Sequence, residues 1–143
     1  MDFIFIRHGH GEHLNDYPNR LNTLHPSLTE YGKFQVSQLR NKIKMDPDDL
    51  VLVSPTKRTI ETYGDTEILD FKLDCWKEGI NRIEQDIFEG FAKRLIDWIG
   101  ESYKKIFIIS HDGTITNYRI LLGEKGLTRK DFLGEAGVYR MKL

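Results

Sequence analysis

Met1-Asp2-Phe3-Ile4-Phe5-Ile6-Arg7-His8-Gly9 is the stretch from which the rest of the chain can be read. Phe3 to Ile6 is a short run of aromatic and β-branched residues, the pattern of a buried strand. It leads straight into an arginine, a histidine and a glycine. Open α/β sheets hold their ligand crevice at the carboxyl ends of the strands, so Arg7 and His8 stand where such a sheet would bind. Gly9 frees the backbone to turn sharply and lets a ligand come close. Alone, the stretch also reads as a buried strand ending in a polar turn. The downstream sequence separates the two readings.

At 143 residues the chain has the length of one domain with a real core, and a single domain over 1–143 is expected. A net charge of −1 argues against a dedicated nucleic-acid binder or a polybasic membrane module. The content of 39% hydrophobic and 30% charged residues is that of an ordinary globular protein. Cys75 has no second cysteine to pair with, so neither an intrachain disulfide nor a cysteine metal cage can form. The apolar start is too short for a secretory signal, with Asp2 behind Met1, and no stretch is long enough to span a bilayer. The expectation is a soluble, cytoplasmic protein without nucleic-acid or membrane partners.

Residues 9–26 are polar and loop-like. Ser27-Leu28-Thr29-Glu30 reads as a capping box with Ser27 as N-cap, and Leu28, Tyr31, Leu39 and Ile43 fall near helical spacing. A helix over about 28–44 follows, ended by Met45-Asp46-Pro47-Asp48-Asp49. Leu50-Val51-Leu52-Val53 is a second apolar strand. Ser54-Pro55 then offers an N-cap and an N1 proline to a helix carrying Arg58 and Thr62. A short edge strand is read around Ile68 to Leu73. Ile80, Ile83, Ile87, Phe91, Leu95 and Trp98 mark one face of a long helix ending near Gly100. Lys105 to Ile109 is a third buried strand, with Ser110-His111-Asp112-Gly113 at its carboxyl end. A helix over about Thr114 to Leu122 and a last strand over Val138 to Met141 close the chain. Alternating strands and helices with uninterrupted apolar strands predict an α/β fold: three α/β/α layers around a mainly parallel sheet.

Parallel strands put all their carboxyl ends on one side. Arg7 and His8, Ser54 to Arg58, and Ser110 and His111 are therefore predicted to share one crevice. Two arginines and two histidines make it strongly cationic. Arginine's planar fork matches phosphate oxygens bidentately. A neutral imidazole can attack phosphorus, and neighbouring positive charge helps keep it neutral. The second histidine and the arginines can stabilise charge on the phosphoryl oxygens. The chemistry so read is phosphoryl transfer through a histidine, with no metal and no cofactor.

These motifs resemble the histidine phosphatase superfamily, with its phosphoglycerate mutase-like fold. Arg7-His8-Gly9 resembles its defining motif, and Leu28-Thr29-x-x-Gly32-x-x-Gln35 the start of its first helix. Ser54-Pro55-x-x-Arg58-Thr59-x-x-Thr62 resembles its second-strand motif, and Ser110-His111-Asp112-Gly113 its last one. The resemblance implies that His8 is the phosphorylated nucleophile and that Arg7, Arg58 and His111 bind the phosphoryl group. Gly11-Glu12-His13 looks more like the small phosphatase-type members than like mutases. Asn15 resembles an asparagine that follows this loop, which would bind substrate. The substrate would be a phosphomonoester, on a small molecule or a phosphoprotein.

One departure concerns the general acid. The family usually inserts a substantial segment after the second motif, and that segment often carries the acid. Here only Tyr63 to Gly79 fills the interval, with Glu67, Asp74 and Glu78 available. Asp112 resembles the proton donor of the acid phosphatase branch, where aspartate follows the histidine. Asp112 is the first candidate acid and Glu78 the second.

Plainer readings stand beside these. His10 and His13 either line the pocket or sit exposed in a loop. His25 reads as solvated or capping, Glu84 and Arg94 as solvated, Cys75 as inert, and Asp112 also as a helix cap contributing about 1 kcal/mol. The run His8-x-His10-x-x-His13 resembles the zinc ligands of metallo-β-lactamase-like hydrolases, although Glu12 stands where that family has aspartate. A phosphate-binding member with little turnover also fits the motifs, as does a phosphomutase, although hydrolysis is favoured because the mutases of the family this chain resembles look larger.

Overall fold

The computed structural model describes residues 1–21, 23, 26–54, 56–64, 93, 94, 96, 97, 99 and 102–142. Four strands, β1 (Asp2–Arg7), β2 (Leu50–Val53), β3 (Lys105–Ser110) and β4 (Val138–Lys142), form one sheet in the order β2-β3-β1-β4. β1 and β2 both run parallel to β3, and β4 lies antiparallel on the outer side of β1. The mainly parallel sheet matches the sequence reading, and β2 has the bounds expected.

Alternation along each strand builds two cores. Phe3, Phe5, Ile106 and Ile108 face one way, packed with Ile99, Ile115 and Tyr118. Ile4, Ile6, Phe107 and Ile109 face the other, packed with Leu39, Ile43 and Met45. Burial on both faces explains why these strands read as continuous apolar runs rather than as alternating ones. β4, at the sheet edge, is only partly buried.

Three helices among the described elements carry the sheet's loops: α1 (Glu30–Arg40), α2 (Lys57–Tyr63) and α3 (Asp112–Leu121). Each begins at a different residue from the one expected. Leu28 is drawn into an isolated β-bridge with Gly11 and buried, so the chain stays extended past Ser27. Thr29 is the N-cap instead, its hydroxyl accepting the Gly32 N–H at 3.0 Å. α1 also ends at Arg40, and Ile43 and Met45 pack on the sheet from the following turn. Thr56 rather than Ser54 is the N-cap of α2, with the Thr59 hydroxyl accepting the Thr56 N–H at 3.3 Å. α3 starts at Asp112, with His111 as N-cap, two residues before the expected Thr114.

Residues 93, 94, 96, 97 and 99 are helical, with Ile99 buried and Arg94 exposed, in line with the end of the long amphipathic helix. The rest of that helix and the edge strand around Ile68 to Leu73 lie outside the described residues, as do His25, Pro55, Glu67, Asp74, Cys75, Glu78 and Glu84. Among the described residues, no helix is long and apolar enough to cross a membrane.

Candidate active site

Sheet register brings the chemistry together. Arg7 pairs with Ser110 and Val53 with Ile109, so the next residues along, His8, Ser54 and His111, emerge side by side. The His8 N–H donates to the Ser110 carbonyl and the Ser54 N–H to the Ile109 carbonyl, each at 3.0 Å. The predicted convergence at the carboxyl edge is what the fold produces.

His8 is buried, and its Nδ1 lies 2.7 Å from the Gly9 carbonyl oxygen. A carbonyl can only accept, so Nδ1 carries the proton and the neutral ring keeps its lone pair on Nε2. Burial holds its pKa well below the usual imidazole value. His111, Arg58 and Arg7 push the same way, and the Gly9 hydrogen bond opposes them.

The centroid of the His111 ring lies 5.3 Å from that of His8. Arg58 Nη2 donates to His111 Nδ1 at 3.4 Å, which leaves the Nε2 proton to be donated to Ser54 Oγ at 3.0 Å. The pKa of His111 is pushed down to about 3, by burial first and then by Arg58, His13 and Arg7. Both histidines are therefore neutral bases in a cationic surrounding.

Arg58 is fully buried at the start of α2. Thr62, one turn on, accepts the Gly9 N–H at 3.2 Å and donates to the Arg58 carbonyl at 2.7 Å, tying the helix to the β1 loop. Arg7 Nη1 donates to the Leu133 carbonyl at 2.8 Å, and Nη2 stands 3.7 Å from Asp112 Oδ2. Its buried Nε meets no acceptor among the described residues. Asp112 Oδ1 accepts the Gly113 N–H at 2.7 Å. The aspartate is thus both a first-turn residue of α3 and the neighbour of Arg7. Glu78, the other candidate acid, lies outside the described residues.

Gly9 is explained by packing rather than by a ligand. A Cβ there would meet the Gly32 carbonyl oxygen at 2.9 Å, and a Cβ on Gly32 would overlap the His10 carbonyl oxygen. Two glycines let α1 lean directly on the loop after β1. The helix then grips that loop through Gln35, whose Oε1 accepts the His10 N–H at 2.8 Å and whose Nε2 donates to Glu135 Oε2 at 3.0 Å.

The loop histidines separate. His10 Nδ1 bonds to Thr29 Oγ1 at 2.8 Å, and its ring packs edge-on against Tyr31. His13 is buried, on the short turn Glu12–Leu14, with its ring centroid 5.6 Å from that of His8. The run His8, His10, His13 does not converge, and no group of three or more His, Cys, Asp or Glu among the described residues is arranged to hold a metal ion. Asn15 lies at the end of the same turn, where its backbone N–H closes the turn on the Glu12 carbonyl, and its side chain is exposed.

The segment before β4 was not legible as part of the site. Leu133 holds Arg7, the Ala136 N–H donates to the His8 carbonyl at 3.0 Å, and the Arg7 N–H donates to the Gly137 carbonyl at 3.0 Å. The spacing Gly134-x-x-Gly137 marks a turn, but nothing in it says where the turn docks.

The sequence profile of the histidine phosphatase superfamily (branch 1) matches residues 3–78. No curated protein matches the chain. Among solved structures, an Escherichia coli protein provisionally assigned as an alpha-ribazole-5′-P phosphatase superposes with a TM-score of 0.71 at 19% identity, over 100% of this chain and 91% of that one. Phosphoserine phosphatase from Entamoeba histolytica, in complex with 3-phosphoglyceric acid, gives 0.66 at 20% identity, over 97% and 89%. Phosphoglycerate mutase from Thermus thermophilus gives 0.58 at 16% identity, over 98% and 92%. At these identities the likeness is one of fold.

Proposed function

The chain belongs to the histidine phosphatase superfamily, and from that membership we propose that it hydrolyses phosphomonoesters through a phosphohistidine on His8, without a metal ion. The observation that carries the reading is the hydrogen bond from His8 Nδ1 to the Gly9 carbonyl, which leaves the Nε2 lone pair for attack. In the first step Nε2 bonds to phosphorus and the ester P–O bond breaks. The departing oxygen takes a proton from an acid, for which Asp112 is the candidate and Glu78 the second. In the next step the carboxylate so formed takes a proton from the water that attacks phosphorus, the P–N bond breaks, phosphate leaves and the acid is restored. Arg7 and Arg58 offset the negative charge on the phosphoryl oxygens throughout, and the neutral His111 adds a hydrogen-bond donor at Nε2. Such preorganised donors act in a buried site at no reorganisation cost.

A panel of phosphomonoesters, small-molecule and phosphopeptide, tests the reading directly. Turnover of at least one is expected, and it should persist in excess chelator, because the positive charge is supplied by side chains. Loss of turnover on chelation that added zinc or magnesium restores would overturn the metal-free mechanism. Vanadate or phosphate binding without hydrolysis of any ester would mark a phosphate-binding member instead. Chain length does not separate hydrolysis from phosphomutase chemistry, since the Thermus mutase is matched over 92% of its length. The panel therefore includes transfer to an acceptor alcohol.

The titration of His8 makes a second prediction. Only the neutral ring attacks, and a ring is neutral above its pKa. With that pKa held well below 6.5, the acidic limb of kcat/KM should fall below pH 6.5, after correction for the substrate phosphate's own ionisation at about pH 6. A limb at pH 6.5 that belongs to the enzyme would contradict the buried, neutral nucleophile.

A further inference from the structure

We propose that His13 is a further phosphoryl-binding residue, its imidazole standing beside the attack axis of His8 and reaching an equatorial oxygen of the transferring group. The inference rests on the phosphohistidine reading of His8. Two imidazoles flank the His8 ring at similar range: His111 at 5.3 Å and His13 at 5.6 Å between centroids. His13 is nearly as enclosed as the rest of the site, only 9% exposed. It is also close enough to His111 to help depress that residue's pKa. The three rings therefore border one space.

The local chain is built to seat this ring. Gly11 has an extended backbone, φ −103°, which any residue could adopt. A Cβ at Gly11 would, however, stand 2.6 Å from His13 Cε1 and Nδ1. Any side chain at Gly11 would therefore displace the His13 ring from this position. His10, on the same loop, is held by Thr29 and Tyr31 instead. His13 is the loop histidine that the fold turns inward.

Geometry also sets its role. With its centroid 5.6 Å from His8's, the His13 ring leaves no room for phosphorus between the two rings. That distance excludes a place beyond phosphorus on the line along which Nε2 attacks. The leaving oxygen departs along that line, on the far side of phosphorus. The equatorial oxygens spread sideways toward a flanking ring. A donor there stabilises the phosphoryl group and has no part in protonating the leaving group.

The test compares wild type with His13→Phe, which keeps a flat ring but no donor, and His13→Gln, which keeps a donor. The readouts are kcat/KM on p-nitrophenyl phosphate and on an alkyl phosphate, and the affinity for vanadate. His13→Phe should lose about 10²-fold in kcat/KM, equally on both esters, and bind vanadate more weakly, as for removal of one oxyanion donor. His13→Gln should recover most of both. Thermal melting checks folding, and His13→Leu replaces His13→Phe if the latter does not fold. Wild-type behaviour of the Phe or Leu variant would overturn the inference, as would a folded Gln variant no better than Phe. So would a loss confined to the alkyl ester, which belongs to a proton donor. If wild type neither turns over an ester nor forms phosphohistidine, the parent reading fails. Vanadate affinity still reads His13 in that case, so the two failures are told apart.

Discussion

His8→Ala should remove phosphomonoester hydrolysis altogether, a loss at least on the order of 10⁴-fold, as for deletion of a catalytic nucleophile. No other described side chain at the carboxyl end of β1 can accept the phosphoryl group, because Arg7 carries only donors. His8 is buried, so the alanine variant also loses packing and the bond to Gly9. His8→Asn is the companion variant, since its amide can still donate toward the Gly9 carbonyl while lacking the distal ring nitrogen. Both should melt as folded proteins and both should be inactive. In wild type, brief incubation with a labelled ester and an alkaline quench should trap an acid-labile phosphohistidine at position 8. Label on serine or aspartate, or full activity in His8→Asn, would remove His8 from the mechanism.

The second large effect is expected at Asp112, and it depends on the leaving group. Breaking an alkyl ester releases an alkoxide, which needs a proton in the transition state; general acid catalysis contributes about 10²–10⁴-fold. An aryl oxide departs readily without it. Asp112→Asn should therefore lose most of that factor on an alkyl phosphate and little on p-nitrophenyl phosphate. Asparagine keeps an oxygen to accept the Gly113 N–H, so the start of α3 is preserved while the acid is deleted. Asp112 also stands 3.7 Å from Arg7 Nη2, in a partly exposed pair. If its work is only to steady Arg7 and the helix start, the loss will be modest and equal on both esters. A leaving-group-dependent loss in Glu78→Gln would move the acid into the interval between the second motif and the long helix.

Much of the site was legible because its order is set by strands. Phe3 to Ile6 and Ile106 to Ile109 are apolar runs, the pattern of strands covered on both faces in a mainly parallel sheet. Parallel neighbours place the residues after each run on one edge. Arg7, His8, Ser54 and His111 could therefore be assembled from the sequence before any distance was known, and the register of β1, β2 and β3 brings them together.

The sequence alone determined less where several hydroxyls or imidazoles compete. Ser27, Thr29, Ser54 and Thr56 are all good caps by type. Ser54 is withdrawn from capping by His111, and Ser27 by the bridge that holds Leu28 extended. Local propensity cannot see partners so distant in the chain. The same holds for His10 and His13, two loop histidines with no periodicity to orient them. Tertiary contacts turn one toward Thr29 and the other toward His8. Arg7's support by Leu133, and the downward shift of both site histidines, likewise come from segments that meet only in the folded chain. Strand ends follow from hydrophobic runs, which are local and strong; caps, loop orientation and protonation follow from which groups share a space, and only the packed fold decides that.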